Sequence, residues 1–259
     1  MAEEPPVVEA LAVARVGLVT LATGTNTGWT CTLPATQAGD VAFTFIAKRA
    51  TGNPTTVPAG YVLLDPQDAS GGSAVFLSCY AKVLAAGDSG ASHVWAWAST
   101  TAGASCLILR GVDNAVVLDV ADPPAAATTN STTVACPASN APNAGDWVVW
   151  ATAVGTNATH AFPASNNGNT VTREVGSTAG ANGLAWATYP TATAVSALTA
   201  TFSVSGRTLG KTLVVRPAGL GPVTQRWSGG AWVPAAVQRW TGSAWVAAQV
   251  RRWNGTSWV

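Results

Sequence analysis

Hydrophobic residues recur at every second position over short stretches of this chain and almost nowhere at the three-to-four spacing of an amphipathic helix. In SAVFLSCYAKV, Val75, Leu77, Cys79, Ala81 and Val83 alternate with Phe76, Ser78, Tyr80 and Lys82, the period-two pattern of a strand that lays one face on a core. TLPATQAGDVAFTFIAK has the same texture, and Gly, Pro, Asn and Asp punctuate such runs throughout. The pattern predicts an all-β protein.

The runs repeat. Ala38-Gly39-Asp40-Val41 returns as Ala144-Gly145-Asp146-Trp147, each time opening an apolar strand, and Cys106-Leu-Ile-Leu-Arg110 returns as Thr212-Leu-Val-Val-Arg216, both at an offset of 106. Tyr80 meets Trp186 at the same offset. Two related halves are therefore expected, about 13–121 and 130–217, joined by the Pro/Ala/Thr stretch DPPAAATTNSTT and preceded by an N-terminal arm, 1–12. One jelly-roll-like β-sandwich over 13–217, built from two pseudo-repeated halves, is expected in preference to two sandwiches in tandem. In each copy the AGD segment reads as a turn, with Gly at positive φ and Asp bonded to its own backbone.

After Arg216 a Gly/Pro-rich hinge, PAGLGPVT, opens a different segment, 218–259. Tryptophans stand at 227, 232, 240, 245, 253 and 258, a 13-residue period with gaps of five and eight. A hairpin with a two- or four-residue loop sets the members of each five-residue gap opposite one another, as Trp227 with Trp232, Trp240 with Trp245 and Trp253 with Trp258. Across the even gap of eight, VPAAVQR and VAAQVRR continue as strands, which predicts a β-meander with apolar content on both faces. So small a sheet cannot bury two faces by itself, so these six tryptophans are the candidate binding and assembly residues.

Composition narrows the function. Charged residues make up 10% of the chain and the net charge is +1, so the basic footprint of a nucleic-acid binder is missing. MAEEPPVVEA has neither the basic nor the apolar region of a signal peptide, and no run approaches a membrane span, so neither export by a signal peptide nor membrane insertion is expected. Cys31, Cys79, Cys106 and Cys136 show no metal-ligand spacing and read as buried free thiols; Cys31 with Cys136 is the first pair to test for a disulfide. His93, alternating with Trp95 and Trp97 in HVWAWAS, reads as a partly exposed strand histidine. No catalytic, cofactor or metal residues are assigned, and loop oxygens at Asp65, Asp68, Asp113 and Asn114 lack any Ca²⁺-loop spacing.

The three repeats RWSGGAWV, RWTGSAWV and RWNGTSWV, behind a Thr/Ala-rich domain carrying the AGD strands, TTVPAGYVLL and ILRGVD, resemble minor tail proteins of long-tailed phages that infect actinobacteria. The resemblance covers about 14–259. It implies an oligomeric virion component at or near the tail tip, a homotrimer by preference, assembled in the host cytoplasm with other phage tail proteins and serving tail assembly and attachment to the host surface. No enzyme activity is implied. A carbohydrate-binding module recognising cell-envelope glycans is the alternative, with Trp95, Trp97 and the tail rings as stacking faces. An envelope-degrading enzyme is a weaker one, with no motif behind it.

Overall fold

The computed structural model of the chain describes residues 12–50, 52–64, 68–69, 75–119, 126–175 and 180–218, and in the C-terminal segment 225–227, 232–234, 238–240 and 245–247. The N-terminal arm lies outside them except for its last residue. The chain divides into a large unit, Leu11–Ala218, and a second made of Met1–Ala10 with Gly219–Val259.

Within the large unit the first half forms β1 (Ala14–Thr32), β2 (Val41–Lys48), β3 (Val62–Leu63), β4 (Asp68–Ala69), β5 (Phe76–Val83) and β6 (Ser92–Arg110). These make one antiparallel sheet in the order β1-β6-β2-β5-β3, with β4 also on β5. The second half forms β7 (Ala126–Cys136), β8 (Ser139–Ala141), β9 (Asp146–Ala158), β10 (His160–Ala161), β11 (Ser165–Asn166), β12 (Asn169–Thr170), β13 (Thr172–Val175), β14 (Gly180–Tyr189), β15 (Thr193–Val195) and β16 (Leu198–Val215). Its main sheet runs β10-β16-β9-β14-β13, with β7 also on β16; β8 pairs with β15 and β11 with β12 in short ladders. The fold is an all-β sandwich in which each sequence half supplies one sheet.

The register follows the repeat. β2 meets β6 as Val41↔Leu109 and Phe43↔Leu107, and β9 meets β16 as Trp147↔Val215 and Val149↔Leu213, each pair 106 residues beyond its counterpart. On the neighbouring strand the equivalence slips by one, since Val41 faces Val83 but Trp147 faces Thr188. Tyr80 therefore corresponds to Ala185 and not to Trp186. A one-residue slip exchanges faces, and Tyr80 packs on the outer side of its sheet while Trp186 packs towards the centre.

Equivalent faces of the two sheets look at each other. Phe43, Phe45, Leu107 and Leu109 share the central core with Trp147, Val149, Leu213 and Val215, as two subunits do in an isologous dimer. Each such fully buried side chain contributes about 1.5–3 kcal/mol relative to exposure. Each sheet also has an outer core, one around Trp95, Cys106 and Ile108, the other around Trp150, Tyr189 and Val214.

The outer core explains why β5 is not covered on one face alone, as its alternation predicts, but buried on both from Phe76 to Ala81. β1 and β6 are 19 residues each, and their far parts, Thr25–Thr32 against Ser92–Thr101, run beyond the stretch of β6 that pairs with β2. Register shifts at Leu21/Gly24 and Asn26/Gly28 bend this arm, which brings Trp29, Cys31, Trp95 and Trp97 into the outer core. Gly28 is required there, because a Cβ would lie 2.3 Å from the Trp95 carbonyl oxygen.

The joining stretch also differs from expectation. Residues 126–136 are strand, with Ala127↔Leu209 and Thr133↔Thr201 on β16, because the β-branched residues Thr128, Thr129, Thr132, Thr133 and Val134 suit a pleated strand despite the linker-like composition. Upstream, residues 111–119 bond to the end of the second sheet through Asp113 N–H to Arg216 O, Asp119 N–H to Val214 O and Ala218 N–H to Gly111 O. Both AGD segments are turns, with Gly39 at φ 91° and Gly145 at φ 89°, and the aspartate accepts from the residue three before it, Gln37 or Asn143.

Candidate functional site

The C-terminal segment is described as two hairpins, β17 (Gln225–Trp227) with β18 (Trp232–Pro234) and β19 (Gln238–Trp240) with β20 (Trp245–Ala247). Trp227 stands directly across from Trp232, and Trp240 from Trp245, with Arg226↔Val233 and Arg239↔Val246 in the alternate register positions. The five-residue gap therefore pairs its two tryptophans across the ladder, with four residues between them in sequence. The two ladders are separate among the described residues, and the connecting stretches on which the continuous meander depends, 235–237 and 248–252, lie outside them. Trp253 and Trp258 lie outside the described residues.

The two strand tryptophans proposed for glycan contact are elsewhere. Trp95 is 1% exposed and Trp97 3%, both inside the first outer core, so neither offers a ring face to a sugar. Trp95 sits edge-on to Tyr61 at 4.8 Å, and the Trp97 Nε1–H donates to Asn26 Oδ1 at 2.9 Å. Burial follows from the folded-over arm, which converts the predicted surface of HVWAWAS into a covered one.

None of the four cysteines forms a disulfide, and all are buried. Cys31 and Cys136 belong to the outer cores of different halves, so the pair first proposed for a disulfide is not brought together. Cys31 instead shares its core with Cys106. A hydrogen bond between these two thiols, and then burial, holds Cys31 well above the ordinary thiol range.

His93 is not the partly exposed histidine of the sequence reading but 6% exposed, with both ring nitrogens engaged. Nδ1 is 3.0 Å from the Tyr61 hydroxyl and Nε2 is 3.1 Å from Asp88 Oδ1, which also accepts from Lys82 Nζ at 2.8 Å. Burial lowers the His93 pKa against the opposing pull of Asp88, which favours the neutral ring. With Nε2–H donating to Asp88, Nδ1 accepts from the Tyr61 hydroxyl, so the chain runs from Tyr61 through His93 to Asp88. Burial raises the Tyr61 phenol above its ordinary value, which disfavours the phenolate. Tyr61, Lys82 and Asp88 were not singled out from the sequence, although Ala86-Gly87-Asp88 is a third AGD.

A second polar cluster lies where the halves join. Asp40 accepts both arms of Arg110 at 2.8 Å; burial alone would raise its pKa, but the Arg110 fork and the Gln37 N–H outweigh this and hold it low. Arg216, the repeat equivalent of Arg110, instead turns to Asp113 at 3.4 Å and Asp119 at 3.9 Å. Asp146, fully buried, is pushed up to about 7 by burial first and by the Asp119 carboxyl beside it. Asp113 also caps its own turn through the amides of Ala115 and Val116, so its oxygens are occupied.

Between the sheets, Asn182 Nδ2 donates to Ser105 Oγ at 3.2 Å. On β16, burial lowers Lys211 to about 8. Among the described residues no three His, Cys, Asp or Glu side chains converge in a way that could hold a metal ion. A groove of about 340 Å³ opens beside edge strand β3, lined by Val62, Leu64, Ala81, Val83, Ala115 and Val117, with Val62 65% exposed. It is largely apolar and carries no titratable group.

Comparison with known protein families, with curated proteins and with solved structures returns no match to this chain.

Proposed function

We propose that the chain is a structural minor tail protein of a phage virion, placed at or near the tail tip, where it serves tail assembly and attachment to the host surface. The observation that carries this reading is the pair of tryptophan hairpins. In each, three described residues per strand are paired, with tryptophans directly across the ladder, Trp227 with Trp232 and Trp240 with Trp245. A two-stranded sheet of that size is marginal in water by itself, and a surface of another molecule that covers the rings supplies the missing stability. The proposed covering surface is that of further copies of this chain, a homotrimer, together with neighbouring tail proteins. The RW-x-G-x-x-WV repeats and the AGD, TTVPAGYVLL and ILRGVD segments support the same assignment by resemblance.

Attachment to an envelope glycan is the second part of this reading, and it rests on the tail rings alone, because Trp95 and Trp97 are enclosed. Immunogold electron microscopy of phage particles with an antibody to this chain tests the assignment. Gold at one end of the tail is the expected result; particles that contain no such chain contradict it. Pull-down on host cell-wall polysaccharide tests the glycan part, with retention expected to fall when Trp240 and Trp245 are changed to Ser.

A further inference from the structure

We propose that Asp119 and Asp146 share one proton, and that this proton latches residues 111–119 onto the end of β16, so that the seam between the two halves loosens when the proton is lost.

The duplicated fold supplies its own control. In the first half the turn aspartate, Asp40, is neutralised by the two-pronged contact with Arg110. In the second half the equivalent arginine, Arg216, has swung to Asp113 and Asp119 of the segment that leaves the first sheet. Asp146 is left wholly buried with no arginine fork. Its Oδ2 accepts from the Asn143 N–H at 3.0 Å, while its Oδ1 meets no donor. The group beside it is the Asp119 carboxyl, which as an anion offers only acceptors. Two acceptors in that relation are satisfied when one carries a proton and donates it to the other.

The remaining neighbours do not change this. Asn143 Nδ2 donates to Asp119 Oδ2, which fixes that oxygen as an acceptor. Tyr189, paired with Asp146 in the β9–β14 ladder, gives its hydroxyl to Asn166, and burial pushes its phenol up to about 12. Among the described residues Arg216 and Asp113 are further charged groups at the site, in contact with each other at 3.4 Å, and the Arg216 charge opposes the upward pull on Asp146. A metal ion is a poorer occupant than a proton, because no three-ligand set converges here among the described residues.

The sign follows from linkage. Asp146 moves from an ordinary 3.8 to about 7 on folding, so its contribution is full below about pH 4 and is lost as pH rises towards 7. The latch concerns four backbone bonds, the amides of Asp113, Asp119, Arg216 and Ala218.

Hydrogen exchange by mass spectrometry on the full chain at pH 5 and pH 8, corrected for intrinsic rates, reads those amides directly. Opening of 111–119 is expected to rise by up to about tenfold per pH unit across the window, while amides of β2 stay unchanged. Asp146→Asn, whose amide can donate to Asp119 at any pH, is expected to abolish the pH dependence. If that variant does not fold, Asp119→Asn reads the same proton from the other side and is expected to give the same flat profile. Protection at 111–119 in the parent chain that does not change with pH overturns the proposal, and so does a dependence that survives in either folded variant.

Discussion

Trp147 lies flat on Trp186, with ring centroids 3.9 Å apart and planes 11° from parallel. The two residues belong to adjacent strands of the second sheet, and both pack towards the central core. The Trp186 Nε1–H continues to Glu174 Oε1 at 2.8 Å, and Glu174 pairs with Arg15 of the first half. The stack thus sits at the contact between the halves. Trp147→Ala is expected to cost about 3–5 kcal/mol, and Trp186→Ala, at a half-buried position, about 1–2 kcal/mol. Urea unfolding measures both. Loss of a tryptophan exciton couplet from the circular dichroism spectrum in either variant identifies the stack itself.

Asp40 and Asp146 occupy the same turn in the two copies and are expected to act in opposite directions with pH. The Asp40 carboxyl is held below its ordinary value, so its contribution is present above that value and disappears as the pH falls through the folded one. Asp40→Asn should therefore lower Tm at pH 7 and converge on the parent chain in strong acid. A Tm deficit of constant size from pH 7 to pH 2 contradicts the role assigned to Arg110.

Gly28 and Gly24 make a paired test of the folded-over arm. A Cβ at Gly28 would collide with the Trp95 carbonyl, whereas nothing lies within 4 Å of one at Gly24. Gly28→Ala is expected to destabilise by about 1–3 kcal/mol, and Gly24→Ala to be neutral or slightly stabilising. Chemical denaturation of the two variants side by side checks this, and equal stability would remove the argument for close approach.

The four thiols should be silent in the native protein. Cys31, Cys106 and Cys136 are 0% exposed and Cys79 is 1%. A thiol reagent such as Ellman's is expected to titrate none of them until denaturant is added, and then all four. Rapid labelling under native conditions contradicts the packing described for the outer cores.

Much of this fold was legible in the residues because the information was local. Period-two alternation marked β2 and β5, and the repeated AGD and Leu-Val-Val-Arg segments carried the register that pairs Val41 with Leu109 and Trp147 with Val215. The five-residue tryptophan gap carried the hairpins. What escaped depends on how long strands bend. Trp95, Trp97 and His93 read as a surface because nothing in HVWAWAS announces that it belongs to an arm that bends over its own sheet. Asp119 and Asp146 are distant in sequence, and only the pairing of 111–119 with β16 brings them together. The slip that separates Tyr80 from Trp186 arises from a one-residue change in strand spacing, which a segment match cannot see.

Multi-angle light scattering on the full-length protein, beside a variant with Trp227, Trp232, Trp240 and Trp245 all changed to Ser, tests the assembly role of the hairpins most directly. The account predicts a trimer, three times the 26.1 kDa chain, that dissociates in the variant while the sandwich keeps its Tm. A parent chain that runs as a 26.1 kDa monomer at every concentration, or a variant that assembles as before, contradicts it.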